Sequence, residues 1–209
     1  MLPNLKTAKV GPWGMNSYVL ICPKTNESVL IDPGGDPEKL TQMLGDSRPV
    51  AVLLTHTHID HVMALGTMLD QLRVPLYLHP GEHAADFEMP NCKPFFLNDG
   101  DTFSFGDQIL HVSHTPGHID DQICFLIKND KRIIVGDTIF EGGPGKTWSG
   151  AGFQQSLETI KNVVLSWPDD SDCYPGHGPS FQLGDIRPLV EKFIAKDHGD
   201  FFGDAEWNM

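Results

Sequence analysis

The hydrophobic and polar positions of this chain form short apolar runs separated by turn-forming residues, a pattern typical of strands. Such runs occupy residues 17–21, 28–31, 49–55, 74–78, 102–105, 108–112, 122–128 and 132–135. The first two runs are predicted to form a hairpin. Helical spacing of apolar residues predicts helices over residues 60–69, 153–166 and 186–196. A further helix is predicted to begin at Asp36-Pro37, with Asp36 as its N-cap and Pro37 in its first turn.

The order of these elements predicts an α/β fold. Strands come in groups, and each half of the chain is followed by helices. This order fits two mixed sheets packed face to face with helices outside, a four-layer αββα sandwich. The 209 residues, of which 40% are hydrophobic, are enough for a large core. We therefore expect a single domain over residues 1–209.

Candidate chemistry is concentrated where the run 49–55 ends. His56, His58, Asp60 and His61 lie within six positions, between a buried strand and a predicted helix. α/β folds place their sites at the carboxyl ends of strands. His56 and His58 are two residues apart and can point to one side of an extended loop, whereas Asp60 and His61 open the helix. A histidine-rich surface loop is the alternative interpretation, but the carboxylate and the strand end favour a metal site.

Three more candidate ligands stand in the same context. His118 precedes the strand 122–128, Asp137 follows the strand 132–135, and His177 lies between two glycines. Five imidazoles and two carboxylates are donors that suit zinc, iron or manganese. The other histidines are interpreted as non-ligands. They are His79, His83, His111, His114 and His198.

The order of these residues resembles the metallo-β-lactamase superfold hydrolases. The pattern His-x-His-x-Asp-His, then His, then Asp, then His is matched without a gap between about Tyr18 and Arg187. The resemblance implies two metals with three terminal ligands each. The first metal would be held by His56, His58 and His118. The second would be held by Asp60, His61 and His177. Asp137 would bridge them, and Asp32 would orient a ligand without binding metal.

Within that superfamily, residues 136–148 resemble the corresponding stretch of glyoxalase II, which is hydroxyacylglutathione hydrolase. In that family a Gly-x-Gly-Lys/Arg loop and an aromatic residue two positions later contact the glutathione part of the thioester. Lys146 and Trp148 fall on those positions, so the resemblance implies that they bind substrate. Glyoxalase II also carries a C-terminal helical domain, whereas only about thirty residues follow His177. The expected relative is a glyoxalase II-like protein without that domain.

The resemblance implies hydrolysis of a small thioester by a metal-bridging hydroxide. Two divalent metals, with zinc favoured and iron or manganese as alternatives, would lower the pKa of bound water from about 15.7 to near 7. Asp60 or Asp137 would accept its proton. Several alternatives stay open. They are a persulfide dioxygenase with one iron on His56, His118 and Asp137, a lactone or phosphodiester hydrolase, and a non-catalytic metal-binding protein.

Charge and composition bear on partners and location. The net charge is −13, and the 15 Lys and Arg residues form no cluster, which disfavours nucleic acid as a partner. We see no signal-peptide pattern near residue 1, no run of transmembrane length and no Cys-x-x-Cys pair among four cysteines. These features predict a cytoplasmic protein without a membrane partner. The aromatic residues Phe201, Phe202 and Trp207 are expected to dock on the core, on a second subunit or near the site.

Overall fold

A computed structural model describes residues 1–86 and 92–209, without the side chains of residues 85 and 86. In these ranges the first sheet has six strands in the order β1-β2-β3-β4-β5-β6. Their bounds are Asn4–Val10, Met15–Ile21, Glu27–Ile31, Arg48–Leu53, Leu76–Leu78 and Phe95–Phe96. The pairs β1/β2 and β2/β3 are antiparallel, and the later pairs are parallel. The hairpin expected near residues 17–31 is therefore present.

The second sheet has the order β12-β11-β10-β9-β8-β7 within the described residues. The bounds of β7 to β12 are Thr102–Phe105, Gln108–His114, Ile123–Ile127, Arg132–Gly136, Asp172–Pro175 and Phe181–Gln182. Only β10 and β11 run parallel to each other; the other pairs are antiparallel. Both sheets are therefore mixed, as the sequence predicts.

Helices connect the strands and cover the sheets. In chain order α1 to α6 are Pro37–Leu44, Ile59–Val62, Leu65–Leu72, Glu82–Asp86, Gly150–Asn162 and Leu183–Ile194. A short 3-10 turn, Val164–Ser166, follows α5. None of the helices in the described ranges has both the length and the apolar character needed to cross a bilayer.

The strand period of two residues sends neighbouring side chains into different cores. Along β2, Val19 packs with Leu40 of α1 and Leu65 of α3 in one apolar cluster. Leu20, the next residue, packs with Phe125 of β9 in a second cluster between the two sheets. Because β2 is buried on both faces, it lies in an inner layer of the fold.

A third cluster covers the outer face of the second sheet. Ile133 and Val135 of β10 pack with Phe153 of α5 and Val190 of α6. The layers therefore run helix, sheet, sheet, helix, which confirms the four-layer αββα architecture. Trp207 belongs to the same cluster and is 4% exposed, so this part of the chain docks on the core.

Two local predictions about element bounds were wrong, and a third was right in position but not in its hydrogen bond. The strand 49–55 ends at Leu53, because Thr55 N donates to Asp32 Oδ1 at 2.7 Å instead of to a strand carbonyl. The helix 60–69 is divided into α2 and α3, since Ala64 N donates to Pro33 O at 2.9 Å. Asp36 is the N-cap residue of α1 and Pro37 its first residue, as predicted, but the Asp36 side chain makes no capping hydrogen bond. Its Oδ2 instead accepts from the backbone N–H of Gly11 at 3.2 Å.

Candidate metal centre

Neighbouring parallel strands bring the candidate ligands to one edge of the fold. β3 and β4 are parallel, and Asp32 and His56 follow their carboxyl ends. β10 and β11 are also parallel, and Asp137 and His177 follow theirs. His118 lies in the connection between β8 and β9. Parallel strands end at the same edge, so one sheet delivers Asp32 and His56 and the other Asp137 and His177.

The seven predicted ligands come together as three overlapping groups of donor atoms. In each group the nitrogen and oxygen atoms lie within 4.8 Å of one another. The groups are His56, His58 and His118; His56, His61 and Asp137; and Asp60, His61 and His177. Among the described residues, none of the five histidines interpreted as non-ligands belongs to such a group.

Three imidazoles are oriented by their Nδ1 atoms. His118 Nδ1 donates to the carbonyl of Lys146 at 2.7 Å, and His61 Nδ1 donates to Asp32 Oδ2 at 3.0 Å. His56 Nδ1 lies 3.0 Å from Thr55 Oγ1, whose proton already serves Asp32. These contacts turn each Nε2 toward the cluster. A metal-binding histidine is commonly held in this way.

Asp137 occupies the middle of the cluster. Its Oδ1 lies 3.4 Å from His61 Nε2, and its Oδ2 lies 3.6 Å from His118 Nε2 and 3.7 Å from His177 Nε2. Asp60 Oδ2 accepts from His177 Nε2 at 2.9 Å. The position of Asp137 between the two sets of ligands is the one that a bridging carboxylate needs.

The donor set fits a divalent cation. His56 Nε2, His61 Nε2 and Asp137 Oδ1 are buried without a hydrogen-bond partner among the described residues. Each such group costs about 1–3 kcal/mol unless something binds it. Gly176 lines the same spot, where a Cβ would collide with Asp137 and His61. Unpartnered polar atoms with a glycine packed against them fit a site that a metal would occupy.

Burial and charge divide the titrating groups into two kinds. Burial and the neighbouring histidines lower the pKa of His56 well below its usual value, and burial, followed by His118, lowers that of His58 to about 3. Burial acts against the charge of Asp137, but His61 and other histidines bring its pKa down to about 2. Burial would lower the pKa of His61, yet Asp137 and Asp32 raise it to about 10. His56 and His58 are therefore neutral and ready to bind a metal, whereas His61 would release a proton when a metal binds.

A cavity of about 740 Å³ opens over this cluster. Its floor includes His118, Asp137 and His177, and its walls include residues 140–144, Lys146 and residues 204–208. Lys146 lines this cavity, whereas Trp148 lines a separate cavity of about 390 Å³ on the other side of His118. The Trp148 ring centroid lies 6.2 Å from that of His58, and Lys146 Nζ lies 5.1 Å from the Trp148 ring. Both predicted substrate contacts are therefore beside the cluster, on different sides.

Two supporting contacts were not expected from the sequence. Thr57, between two predicted ligands, donates to Asp121 Oδ2 at 2.6 Å and lies 2.8 Å from His83 Nδ1. Asn16 donates to the carbonyls of Pro175 and Gly178, both at 2.9 Å, and so holds the loop that carries His177. The partners in these contacts are far apart along the chain, so no local sequence pattern predicts them.

A family model described as the metallo-beta-lactamase superfamily matches residues 10–180. The chain belongs to the metallo-beta-lactamase superfamily. It is 33% identical to the probable metallo-hydrolase YqgX of Bacillus subtilis, with 88% of this chain and 96% of that protein covered. It is 31% identical to the hydroxyacylglutathione hydrolase GloC of Haemophilus influenzae, over 79% of this chain and 86% of that protein. The family expected from the sequence is thus confirmed, and a hydroxyacylglutathione hydrolase is among the similar proteins.

A solved structure of the family adds a metal-loaded comparison. The crystal structure of TTHA1623 in a di-iron-bound form has a TM-score of 0.73 and 30% sequence identity. The match covers 87% of this chain and 96% of that one. A superfamily fold and a cluster of histidines and aspartates together indicate a site for divalent metal.

Proposed function

We propose that this protein is a metal-dependent hydrolase of small thioesters. The observation that carries the proposal is the set of buried atoms without a hydrogen-bond partner, His56 Nε2, His61 Nε2 and Asp137 Oδ1, next to the floor of an open cavity. These atoms do not stabilise the packed core, because a buried polar atom that stays without a partner destabilises the fold. The names of the relatives, a probable metallo-hydrolase and a hydroxyacylglutathione hydrolase, support the same reaction class.

The cluster offers places for two metals. His56, His58 and His118 would hold the first, and the second would be held by Asp60, His61 and His177. Asp137 would contact both. Zinc suits this mixture of imidazole and carboxylate, and iron and manganese are alternatives. When bound, such ions make water a nucleophile at neutral pH and polarise a carbonyl group.

The chain itself supplies proton acceptors and an approach for the substrate. Asp60 Oδ2 accepts from His177 Nε2 at 2.9 Å, and the Asp60 side chain is 20% exposed. It is our first candidate to accept the proton of the attacking water, and Asp137 is the second. A thiolate leaves without a strong general acid, which is why a thioester suits a site that offers carboxylates and imidazoles.

Lys146 and Trp148 are proposed to bind the remote part of the substrate. Lys146 lines the larger cavity, and its backbone carbonyl accepts from His118 Nδ1. Trp148 is 61% exposed, so its ring offers a large apolar surface beside His58. Contacts at this distance from the scissile bond favour binding more than the chemical step.

Metal analysis combined with a substrate panel tests this proposal. We expect two zinc ions per chain as purified and turnover of thioesters in preference to lactones and phosphodiesters. His118→Ala should empty the first site and His177→Ala the second, each with loss of about one metal. If the protein instead contains one iron per chain and consumes oxygen when given a persulfide, the hydrolase proposal is wrong and the protein is a dioxygenase. Metal-loaded protein without turnover of any of these compounds would indicate a binding protein.

A further inference from the structure

Residues 203–209, which we call the tail, are fastened to the loop that follows Asp137. Thr147 N donates to Gly203 O at 3.1 Å, and Trp207 N donates to Gly142 O at 3.0 Å. The Trp207 indole Nε1 donates to Phe140 O at 3.2 Å, and its ring packs on Phe193. The tail is therefore held at both of its ends and through a buried side chain.

The loop and the tail are also fitted sterically. Gly143 has no room for a side chain, because a Cβ there would collide with the carbonyl of Ala205. Both segments line the cavity above His118, Asp137 and His177. The tail thus builds the outer wall of the cavity that the proposed substrate would enter.

This wall carries an excess of negative charge. Glu141, Asp204 and Glu206 line the cavity, and Lys146 is the one ammonium group among its described lining residues. Lys146 Nζ is already paired with Asp204 Oδ2 at 3.1 Å. The Asp204 side chain is 81% exposed, so the pair lies in water and a ligand can compete for it.

We propose that Asp204 is a specificity residue that masks Lys146, so that the cavity selects thioesters with an uncharged or cationic remote end over those with a carboxylate. The inference rests on the proposed function, because it takes this cavity as the substrate site. A substrate carboxylate would have to displace Asp204 from Lys146 and would approach Glu141 and Glu206 as well. An amide or an ammonium group meets no such opposition. The tail thereby selects thioesters by the charge on the remote end of their thiol part.

Binding of two matched ligands tests the selection without any turnover. S-benzyl mercaptoacetylglycine and its glycinamide counterpart are thioethers that cannot be hydrolysed, and they differ by one carboxylate. Their Kd values would be measured by calorimetry on the metal-loaded protein at low salt. The readout is the ratio of the acid Kd to the amide Kd, for the wild type, Asp204→Asn and Lys146→Ala. Asp200→Asn is the control, because it removes the same charge from an exposed position outside the cavity lining.

We expect a ratio above one for the wild type and a fall of about threefold to fivefold in Asp204→Asn, the size typical of an exposed ion pair. Lys146→Ala should raise the ratio, since Asp204 then repels the ligand carboxylate without compensation. High salt should shrink both changes. Asp200→Asn should leave the ratio as it is. An unchanged ratio in Asp204→Asn, tighter wild-type binding of the acid, or binding of neither ligand would overturn the inference.

Turnover separates this inference from the proposed function. The same protein samples would be given the acetyl thioesters of mercaptoacetylglycine and of mercaptoacetylglycinamide. Charge-dependent binding of the thioethers without hydrolysis of either thioester would sink the thioesterase proposal and support the masking by Asp204. Hydrolysis of both thioesters with one common KM would support the thioesterase proposal and refute the masking.

Discussion

Two buried aspartates differ in what their carboxylates touch, and this difference predicts different costs when they are replaced. Asp137 faces three imidazole Nε2 atoms at 3.4–3.7 Å, whereas Asp32 contacts Thr55 and the Nδ1 atom of His61. Asp137 is thus positioned between the proposed metals. Asp32 is positioned to orient one ligand from behind.

We expect Asp137→Asn to lower total metal content and to reduce kcat by about 10²-fold or more, because a misplaced nucleophile reacts much more slowly. Asp32→Asn should keep most of the metal and reduce kcat by about 10- to 100-fold, as is usual for groups that hold a ligand in place. Metal analysis and kcat for the two variants and the wild type check this. Full metal and normal turnover in Asp137→Asn, with losses in Asp32→Asn, would show that the two roles are reversed.

Asp121 predicts a pH dependence of stability. Burial raises the pKa of its carboxyl from 3.8 to about 6, against the opposing hydrogen bond from Thr57. The folded protein therefore binds this proton more tightly than the unfolded chain does. The resulting stabilisation is complete below about pH 3.8 and is lost as the pH rises to about 6. A shift of about two units corresponds to about 2–3 kcal/mol.

Asp121→Asn should remove this slope, since an amide does not titrate and its oxygen can still accept from Thr57. The free energy of unfolding would be measured by urea denaturation between about pH 3.5 and pH 7, a range that covers the usual carboxyl pKa values. A chelator would be present to exclude metal. Asp70→Asn, at an exposed position of α3, is the matched control and should keep the wild-type slope. Equal slopes in wild type and Asp121→Asn would contradict the prediction.

At the scale of elements, a pair of adjacent glycines tests how tightly the tail fits the loop after Asp137. A Cβ on Gly143 would collide with Ala205 O, whereas a Cβ on Gly142 would meet nothing within 4 Å. We expect Gly143→Ala to loosen the tail and to speed amide hydrogen exchange at Trp207 N by about tenfold or more. That shift corresponds to about 1.4 kcal/mol, within the range of strain from core overpacking. Gly142→Ala should leave the exchange rate unchanged. Equal rates in both variants would mean that the tail is not held against Gly143.

The elements that the sequence predicted are those with a strong internal pattern. The buried strands β2, β3, β4, β9 and β10 are continuous apolar runs, and each was expected within a few residues of its bounds. β1 was missed because it is an edge strand with only one buried residue. The two-residue strands β6 and β12 were missed because they are too short to carry a period. Ser149, which accepts from Gly152 N at 3.0 Å, starts α5 before its first apolar residue.

At the scale of the whole molecule, the site is assembled from both sheets. His56, His58, Asp60 and His61 follow the first sheet, and the other three candidate ligands follow strands of the second. Ligand types at strand ends could be read from the sequence, because the chemistry limits which residues bind metal. The cavity wall built by the tail could not be predicted from the sequence, because the pairing of Asp204 with Lys146 depends on how the chain folds back after α6. Asn16 likewise reaches the carbonyl of Pro175 across 159 positions.

A metal shared by both sheets should stabilise the whole fold. Binding to the folded state alone adds about 2.7 kcal/mol when free metal is 100-fold above Kd. For a domain of about 200 residues this corresponds to a rise in Tm of about 5–10 °C. We expect this shift when zinc is added to chelator-treated protein, and its reversal by excess chelator. Zinc should also remove the cost of leaving His56 Nε2, His61 Nε2 and Asp137 Oδ1 buried without partners.

Two histidine variants show whether the shift comes from the cluster. His177→Ala removes a ligand that is 33% exposed and contributes little to the core, so its apo Tm should stay near that of the wild type while its zinc-induced shift falls by about half. His111→Ala removes an exposed histidine of β8 that belongs to no group of donor atoms and should keep the full shift. Because residues that follow strands of both sheets make up the proposed site, a single calorimetric transition should shift on binding zinc. Zinc that raised the Tm equally in wild type and His177→Ala would place the binding outside this cluster.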